Sequence, residues 1–267
     1  SGYTVTADNP LYTEADFTFS GTASVSATDA GTYSMDLQQG AVFDNTSGNF
    51  ADVVFEVING ELTIEKRQIT LTSATDTKVY DGTPLTNDTV EVTGDGWAPG
   101  EGATYDVTGT QTDVGESDNT FVYTFNNGTN PDNYDITYIE GKLEVTLRTV
   151  TVTINGESAT YKYNGTEQGV AGTTFEISDP LYTANDFLFN GSASAYGMDA
   201  GTYNMNLSAD DFVNNNLNFD VNVVINDGVL TIQKRQVTLT SATESKDYDG
   251  QPLTNDEITV SGDGWVN

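Results

Sequence analysis

The chain repeats long stretches of its own sequence. The run KRQITLTSAT at Lys66–Thr75 returns as KRQVTLTSAT at Lys234–Thr243. The run NPLYT at Asn9–Thr13 returns as DPLYT at Asp179–Thr183, with nearly the same offset along the chain. A recurrence with a nearly constant offset indicates a structural module that repeats, so the chain is predicted to fold as a tandem array and not as one large domain.

Each repeat divides into two related halves. The motif YDGTPL begins at Tyr80 and the looser match YNGTEQ at Tyr163, about half of one period further along. The runs GELTI, GKLEV and GVLTI close successive halves. This frame predicts the back of a type B module at 1–67, a complete type A module at 68–147, a complete type B module at 148–234 and the front of a further type A module at 235–267.

Strand patterns dominate these modules. Apolar and polar residues alternate at 68–72, 149–154 and 219–225, as they do in strands with one buried face. Turn signals such as Asn226-Asp227-Gly228 separate the strands, and they favour hairpins because Asn and Gly tolerate a positive φ. Most of each module is therefore predicted to be β-structure.

Helical patterning is confined to two short runs. Tyr12–Phe17 and its copy Tyr182–Phe187 each follow a proline, and each is predicted to be a short helix or a tight turn. The modules meet without a Gly-, Ser- or Pro-rich linker, which favours a semi-rigid connection. We therefore predict an all-β fold of small β-sandwich or β-grasp-like modules, arranged end to end as an elongated rod.

The composition narrows the classes of function. The chain has no His and no Cys, so it lacks the commonest general base, the thiol nucleophile and the usual zinc ligands. Forty acidic residues against nine basic ones give a net charge of −31, which repels nucleic acid and anionic membranes. No apolar run approaches the roughly 20 residues that span a bilayer. We predict no enzyme, no nucleic-acid partner and no membrane insertion in this segment.

Several short motifs recur in a fixed order along the chain. They are YDGTPL at Tyr80–Leu85, YDGQPL at Tyr248–Leu253, AGTY at Ala30–Tyr33 and Ala200–Tyr203, and NYDI at Asn133–Ile136. In this order they resemble the MBG repeat domains of bacterial cell-surface proteins, and the resemblance covers essentially the whole chain. It implies a secreted or wall-anchored, adhesin-like protein in which such modules accompany mucin-binding modules and often serve as a stalk.

Two functions follow from the resemblance as expectations. The first is a stalk or spacer that projects an adhesive head from the bacterial cell surface or cell wall. The second is direct adhesion, in which the modules bind mucin glycans or a host surface protein through many weak contacts. Neighbouring modules of the same protein are a further class of partner. The resemblance identifies no ligand-binding residue.

Two turns with a tyrosine ring beside a carboxylate supply four candidate ligand-binding residues, and two tryptophans at equivalent repeat positions are candidates for stacking on a ligand. Such a ring would stack on a sugar while the carboxylate accepts hydrogen bonds from the sugar hydroxyls. The candidates are Tyr80, Asp81, Trp97, Tyr248, Asp249 and Trp265. The alternative is structural, with each Tyr packed on its module, each following Gly at a positive φ, and each Trp covering a core or a module junction.

Acidic clusters supply the candidate metal ligands. Calcium takes about six to eight oxygen ligands, and binding it would relieve the repulsion between crowded carboxylates. The candidates are Asp113, Glu116, Asp118, Asp210 and Asp211. No cluster has the ligand spacing of a helix–loop–helix calcium site, so a solvated acidic face is the alternative. No carboxylate pair is flanked by segments that would build a glycosidase pocket, and we predict no catalytic residue and no resident organic cofactor.

Two lysines, Lys78 and Lys246, lie at equivalent positions of the repeat. In some bacterial adhesin domains a buried Lys joins an Asn or Asp through an isopeptide bond, and these two lysines are candidates for it. An ordinary surface lysine is the alternative, because no second motif identifies a partner Asn.

Overall fold

The fold is built from short β-strands. The computed structural model describes residues 2–37 and 42–266; Ser1, residues 38–41 and Asn267, which belong to the first and last predicted modules, lie outside the described residues. Within the described ranges the regular elements are strands and one-turn 3₁₀-helices, with no α-helix. The prediction of an all-β fold is confirmed.

The described strands follow one another closely along the chain. Up to residue 146 they are β1 (Phe17–Ser20), β2 (Gly31–Ser34), β3 (Val42–Asn45), β4 (Glu61–Ile64), β5 (Arg67–Ser73), β6 (Asp76–Val79), β7 (Val90–Gly94), β8 (Ala103–Val107), β9 (Gly115–Asn119), β10 (Phe121–Phe125), β11 (Tyr134–Ile139) and β12 (Gly141–Thr146). Beyond it they are β13 (Arg148–Gly156), β14 (Ala159–Lys162), β15 (Gln168–Ala171), β16 (Thr173–Ile177), β17 (Phe187–Phe189), β18 (Ser194–Gly197), β19 (Gly201–Asn204), β20 (Phe212–Asn214), β21 (Phe219–Asn226), β22 (Val229–Gln233), β23 (Val237–Ser241) and β24 (Ile258–Gly262). The 3₁₀-helices are η1 (Glu14–Asp16), η2 (Pro131–Asn133) and η3 (Ala209–Asp211).

The chain divides into two compact units, each made of separate segments. Unit 1 consists of residues 1–76, 86–110 and 116–143, and unit 2 of residues 77–85, 111–115 and 144–267. Each unit thus combines residues from more than one of the predicted modules. The module boundaries remain a prediction.

Strand β5 forms the centre of the unit 1 core. It pairs in parallel with β11, with Ile69 opposite Ile136, and antiparallel with β7 on its other edge. Alternate residues of β5 point inward, and Ile69 and Leu71 are buried with Phe121 and Tyr134. Burying each aliphatic side chain contributes about 1.5–3 kcal/mol, so this alternation fixes which face of the strand is inside.

Strand β13 has the same role in unit 2. It pairs in parallel with β21 and antiparallel with β16, and it buries Val150, Val152 and Ile154 in a cluster with Tyr182 and Phe219. A second sheet of the unit centres on β22, which pairs in parallel with β14 and antiparallel with β19. The opening strand of a repeat therefore pairs in both units with a strand that lies far along the chain.

The hairpin expected at Asn226-Asp227-Gly228 is absent. The strands on either side of these residues, β21 and β22, pair with different strands and belong to different sheets of unit 2. The predicted turn is wrong as well, because Asp227 and Gly228 form neither a turn nor a bend and Gly228 has no positive φ. Which strand lies beside which depends on the packing of distant residues.

The two runs predicted to be a short helix or a tight turn take those forms. In the first, Thr13 donates hydrogen bonds from its backbone N and from Oγ1 to the Asp16 carboxylate, at 2.8 and 2.9 Å, around η1. In the second, Thr183 makes the same two bonds to Asp186, at 2.7 and 2.9 Å, around a turn. The hydrogen bonds from Thr13 hold the pKa of the Asp16 carboxyl below its usual range. The shared Thr-x-x-Asp spacing accounts for both turns.

Candidate functional site

In each Tyr-Asp-Gly turn the Asp carboxylate accepts hydrogen bonds from residues of the same turn. Asp81 Oδ1 accepts hydrogen bonds from Lys78 Nζ at 2.7 Å and from the Thr83 backbone N at 2.9 Å. Asp249 Oδ1 accepts equivalent bonds from Lys246 Nζ at 2.8 Å and from the Gln251 backbone N at 3.0 Å. The lysine hydrogen bond is the main reason that the pKa of each carboxyl lies below its usual range. Both candidate carboxylates thus have a structural partner within the turn.

The glycines and tyrosines of these turns test the alternative that each Tyr packs on its module and each following Gly has a positive φ. Gly82 and Gly250 have φ angles of +78° and +76°, in the region that favours glycine. The Tyr80 ring packs edge-on against Phe219 of unit 2, with centroids 5.5 Å apart, whereas Tyr248 is 98% exposed. The same motif therefore places one tyrosine in a core and the other in solvent.

The two tryptophans differ in the same way. Trp97 lies against the unit 1 core, where Nε1 donates a hydrogen bond to the Tyr105 hydroxyl at 3.1 Å and the ring contacts Tyr134 at 4.8 Å between centroids. Trp265, at the equivalent position of the next repeat, is 65% exposed. Its exposure leaves the Trp265 ring available for a contact.

The candidate calcium ligands are spread over the surface. Glu116 and Asp118 accept the Lys142 ammonium, at 3.2 and 2.8 Å. Asp210 and Asp211 lie in η3, where Asp210 N donates to Ser208 Oγ at 3.1 Å. Among residues 2–37 and 42–266 no three His, Cys, Asp or Glu side chains are grouped to hold a metal ion. Calcium binding remains a hypothesis.

Asp113 has a different partner, the amide of Asn218. Asn218 Nδ2 donates to Asp113 Oδ1 at 3.0 Å, and Asn218 Oδ1 accepts from the Val114 backbone N–H at 2.7 Å. The carboxylate only accepts hydrogen bonds and the backbone N–H only donates, so the two ends of the amide are fixed in this orientation. We call this two-point contact the asparagine clamp.

The clamp occurs again in unit 1. Asn133 Nδ2 donates to Asp29 Oδ1 at 2.9 Å, and Asn133 Oδ1 accepts from the Ala30 backbone N–H at 2.6 Å. Asn130 donates a further hydrogen bond to Asp29 Oδ1 at 2.9 Å. The bonds from Asn133 and Asn130 keep the pKa of the Asp29 carboxyl below its usual range. Each clamp joins residues that lie far apart in the sequence.

The clamping asparagines share a sequence context that the sequence analysis missed. Each directly precedes a buried aromatic residue, Tyr134 or Phe219, which is 5% or 3% exposed. These aromatics lie opposite Arg67 and Arg148 in the parallel pairs β11–β5 and β21–β13. The sequence signal for the clamp was an Asn followed by an aromatic residue, which recurs at about half of the repeat period. An Asp-x-Gly turn recurs with it.

An arginine at the start of each repeat half adds a second link. In unit 2, Arg148 Nη1 donates to the Tyr80 carbonyl at 3.4 Å, while its Nε pairs with the Asp179 carboxylate. The pKa of the Asp179 carboxyl is lowered, chiefly by a hydrogen bond from the Leu181 backbone N–H and further by Arg148. Asp179 is only 8% exposed, so its carboxylate is largely shielded from water, whereas about a third of the Arg148 side chain is exposed.

Comparison with known proteins adds no relative: no family model, no curated protein and no solved structure matches the chain. In the part of the chain that the structure describes, no helix is long and apolar enough to cross a membrane. The asparagine clamp and the turns are therefore the features from which function is inferred.

Proposed function

We propose that this chain is a non-catalytic repeat region of a bacterial surface protein that acts as a stalk or spacer projecting an adhesive head. The observation that carries the proposal is the recurring asparagine clamp. Each clamp links an Asp-x-Gly turn of one predicted module to the Asn-aromatic step of the next, at Asp29 with Asn133 and at Asp113 with Asn218.

A spacer requires connections that keep a fixed geometry under thermal motion. The clamp supplies two hydrogen bonds in opposite directions, and Arg148 ties a carbonyl of one predicted module to a buried carboxylate of the next. The modules meet without a flexible linker, so these contacts act on short, directly joined strands. The cell-surface location rests on the resemblance of the motifs to MBG repeats.

The net charge of −31 fits the same proposal. A surface with a large excess of one sign repels other copies and keeps proteins soluble and separate. The six ion pairs of the described residues engage Lys78, Lys142, Arg148, Lys162 and Lys246, and each joins an acidic residue of the same unit. These five cations therefore serve internal contacts while most carboxylates face water.

Direct adhesion has one observation in its favour. Tyr248 is 98% exposed beside Asp249, as a sugar-stacking ring would be. Its equivalent Tyr80 is packed on Phe219, so this motif offers such a ring in one copy only. A glycan array distinguishes the two functions: binding that is lost on Tyr248→Ala supports adhesion, and no binding supports the spacer.

Small-angle scattering tests the spacer directly. A compact globule of 267 residues has a radius of gyration of about 18 Å, and an end-to-end array of modules has a much larger one. Asn218→Ala should broaden the distance distribution by loosening the clamp, whereas the control Asn190→Ala, an exposed residue of unit 2, should leave it unchanged. A radius of gyration equal to that of the compact globule, measured on the unmodified chain, would contradict the proposal.

A further inference from the structure

Unit 2 carries an open groove at the third repeat of the clamp motif. Its volume is about 460 Å³, and its lining includes Tyr163, Asp199, Ala200, Arg235 and Trp265. In the described residues neither the Asp199 carboxylate nor the Ala200 backbone N–H has a hydrogen-bond partner, and Asp199 is exposed. The groove thus presents an acceptor and a donor side by side.

Unit 2 also contains the occupied clamp at Asp113, which we call the filled junction. Three residues of the groove have an equivalent in this junction. Tyr163, Asp199 and Arg235 correspond to Tyr80, Asp113 and Arg148. Arg235 Nη1 donates to the Tyr163 carbonyl at 3.3 Å, as Arg148 Nη1 donates to the Tyr80 carbonyl at 3.4 Å. In the filled junction the Asn218 amide bonds to Asp113 and the Phe219 ring packs against Tyr80.

The equivalent residues of unit 1 indicate which contacts an occupant would make on the Trp265 side of the groove. Ala30 and Trp97 are the equivalents of Ala200 and Trp265 in the preceding repeat. There Asn133 clamps Ala30, and the next residue, Tyr134, contacts the Trp97 ring and accepts a hydrogen bond from the Ala98 N–H at 3.0 Å. One Asn-Tyr step therefore satisfies the turn and covers the tryptophan together.

We propose that this groove is a docking site for the Asn-aromatic segment of a further type A module, with an asparagine amide clamping Asp199 and Ala200. Its tyrosine would cover Trp265, and its strand would run parallel to β23, as β11 runs beside β5. The inference rests on the proposed spacer only in taking the occupant to be another module of the repeat.

The module type follows from the two filled clamps. The Asp-Ala turn at Asp29 is of type B and holds Asn133 from the predicted type A module, whereas the type A turn at Asp113 holds Asn218 from type B. The open turn at Asp199 is of type B. A second copy of this chain would offer Asn49, the exposed equivalent of Asn218, which matches the other kind of turn. The alternation therefore favours a type A segment over Asn49.

A graft supplies this occupant from the chain itself. Residues 98–147 are appended directly after Trp265 in place of 266–267, so that the grafted copy of Asn133 follows Trp265 at the spacing that separates Asn133 from Trp97. Amide hydrogen exchange at Ala200 and the indole signal of Trp265 are followed by NMR. We expect exchange at Ala200 to slow by at least about tenfold and Trp265 to become shielded, because a bonded and buried amide exchanges only on opening.

The matched control is the same graft with alanine at the grafted copy of Asn133. Here Trp265 should stay shielded while exchange at Ala200 returns to the rate of the parent chain. Equal Ala200 exchange in both grafts, or a Trp265 that stays exposed in the first graft, would overturn the proposal. Concentration-dependent protection of Ala200 in the ungrafted chain would overturn it too, because it would assign the groove to a second copy. None of these results alters the scattering test of the spacer.

Discussion

Nearly identical sequences form the same antiparallel strand pair within 67–97 and within 235–265, yet only the first pair contains a strand with a buried face. Strands β5 and β7 of unit 1 pair with Ile69 opposite Gly94, and β23 and β24 of unit 2 pair with Val237 opposite Gly262, in the same register. Leu71 of β5 is fully buried, whereas its equivalent Leu239 of β23 is 57% exposed.

The difference shows what local sequence determines and what it leaves to distant residues. The arginine that opens each segment makes the same bond in both, from Arg67 Nε to the Gly96 carbonyl and from Arg235 Nε to the Gly264 carbonyl, each at 2.8 Å. Only β5 has a second partner, β11, among the described strands; β23 pairs with β24 alone. Strand pairing and turns are local here, and burial requires the parallel strand.

Leucine truncation should give the largest difference between the segments. Leu71→Ala removes a side chain packed in the unit 1 core and should cost about 2–5 kcal/mol in the free energy of unfolding. Leu239→Ala removes an exposed side chain and should cost less than about 0.5 kcal/mol. Urea unfolding monitored at Trp97 and Trp265 measures both. Equal costs would show that Leu239 is buried in solution.

Glycine substitution should affect both segments alike. Gly94 and Gly262 have φ angles of +85° and +86°, and a Cβ at either would overlap a carbonyl oxygen, of Gln68 or of Gln236. We expect Gly94→Ala and Gly262→Ala each to cost about 1–3 kcal/mol, seen as faster amide exchange in β7 and β24. Gly96→Ala and Gly264→Ala, where a Cβ meets open space at φ +66° and +68°, serve as controls with smaller effects. An effect at Gly94 alone would break the claim that the pairing is local.

Alkaline titration separates another pair of equivalent residues, Tyr12 and Tyr182. Burial raises the pKa of Tyr182 to about 12, and it also raises that of Tyr12, which is less buried. A raised phenol pKa stabilises the fold fully below the unfolded value of about 10, and this contribution is lost as the pH rises through about 12. Ultraviolet difference titrations of Tyr182→Phe and Tyr12→Phe should show that Tyr182 ionises after Tyr12. The reverse order would contradict the burial of Tyr182.

The smallest difference is expected at the Tyr-Asp-Gly turns, whose contacts are local. The pKa values of Asp81 and Asp249 are both lowered, first by the hydrogen bond from the nearby lysine. Their contribution to stability is therefore present above the unfolded Asp value of about 3.9 and is lost as the pH falls through the lower folded value. Carboxyl NMR titration should find the pKa of Asp81 and that of Asp249 below about 3.9. Lys78→Met should raise the pKa of Asp81, and Lys246→Met should raise that of Asp249. An ordinary pKa at Asp249 alone would mean that this turn also depends on burial.

These comparisons explain which parts of the fold were predictable. Alternation at 68–72 and 149–154 correctly located β5 and β13, because period-2 burial is visible in the residues of one strand. The parallel pairing of β5 with β11 was not predictable, since the ladder joins backbone groups and leaves no local pattern. The same limit produced the wrong hairpin between β21 and β22.

The candidate site was partly visible. Asp113 was singled out for its charge, and the structure shows its carboxylate accepting a hydrogen bond from the neutral amide of Asn218. A single asparagine has no signature of its own, because amides are common in turns. The available signal was recurrence, of the Asn-aromatic step at Asn133 and Asn218 and of Asp-x-Gly at Asp29, Asp113 and Asp199.

Hydrogen exchange at the three equivalent amides of Ala30, Val114 and Ala200 tests the clamp most directly. The structure predicts that Ala30 and Val114 are protected, that Ala200 exchanges rapidly, and that Asn218→Ala makes Val114 exchange as fast as Ala200 while Ala30 stays protected. Protection of Ala200 equal to that of Val114 in the unmodified chain, or no change at Val114 in the variant, would contradict the claim that asparagine clamps join successive repeats.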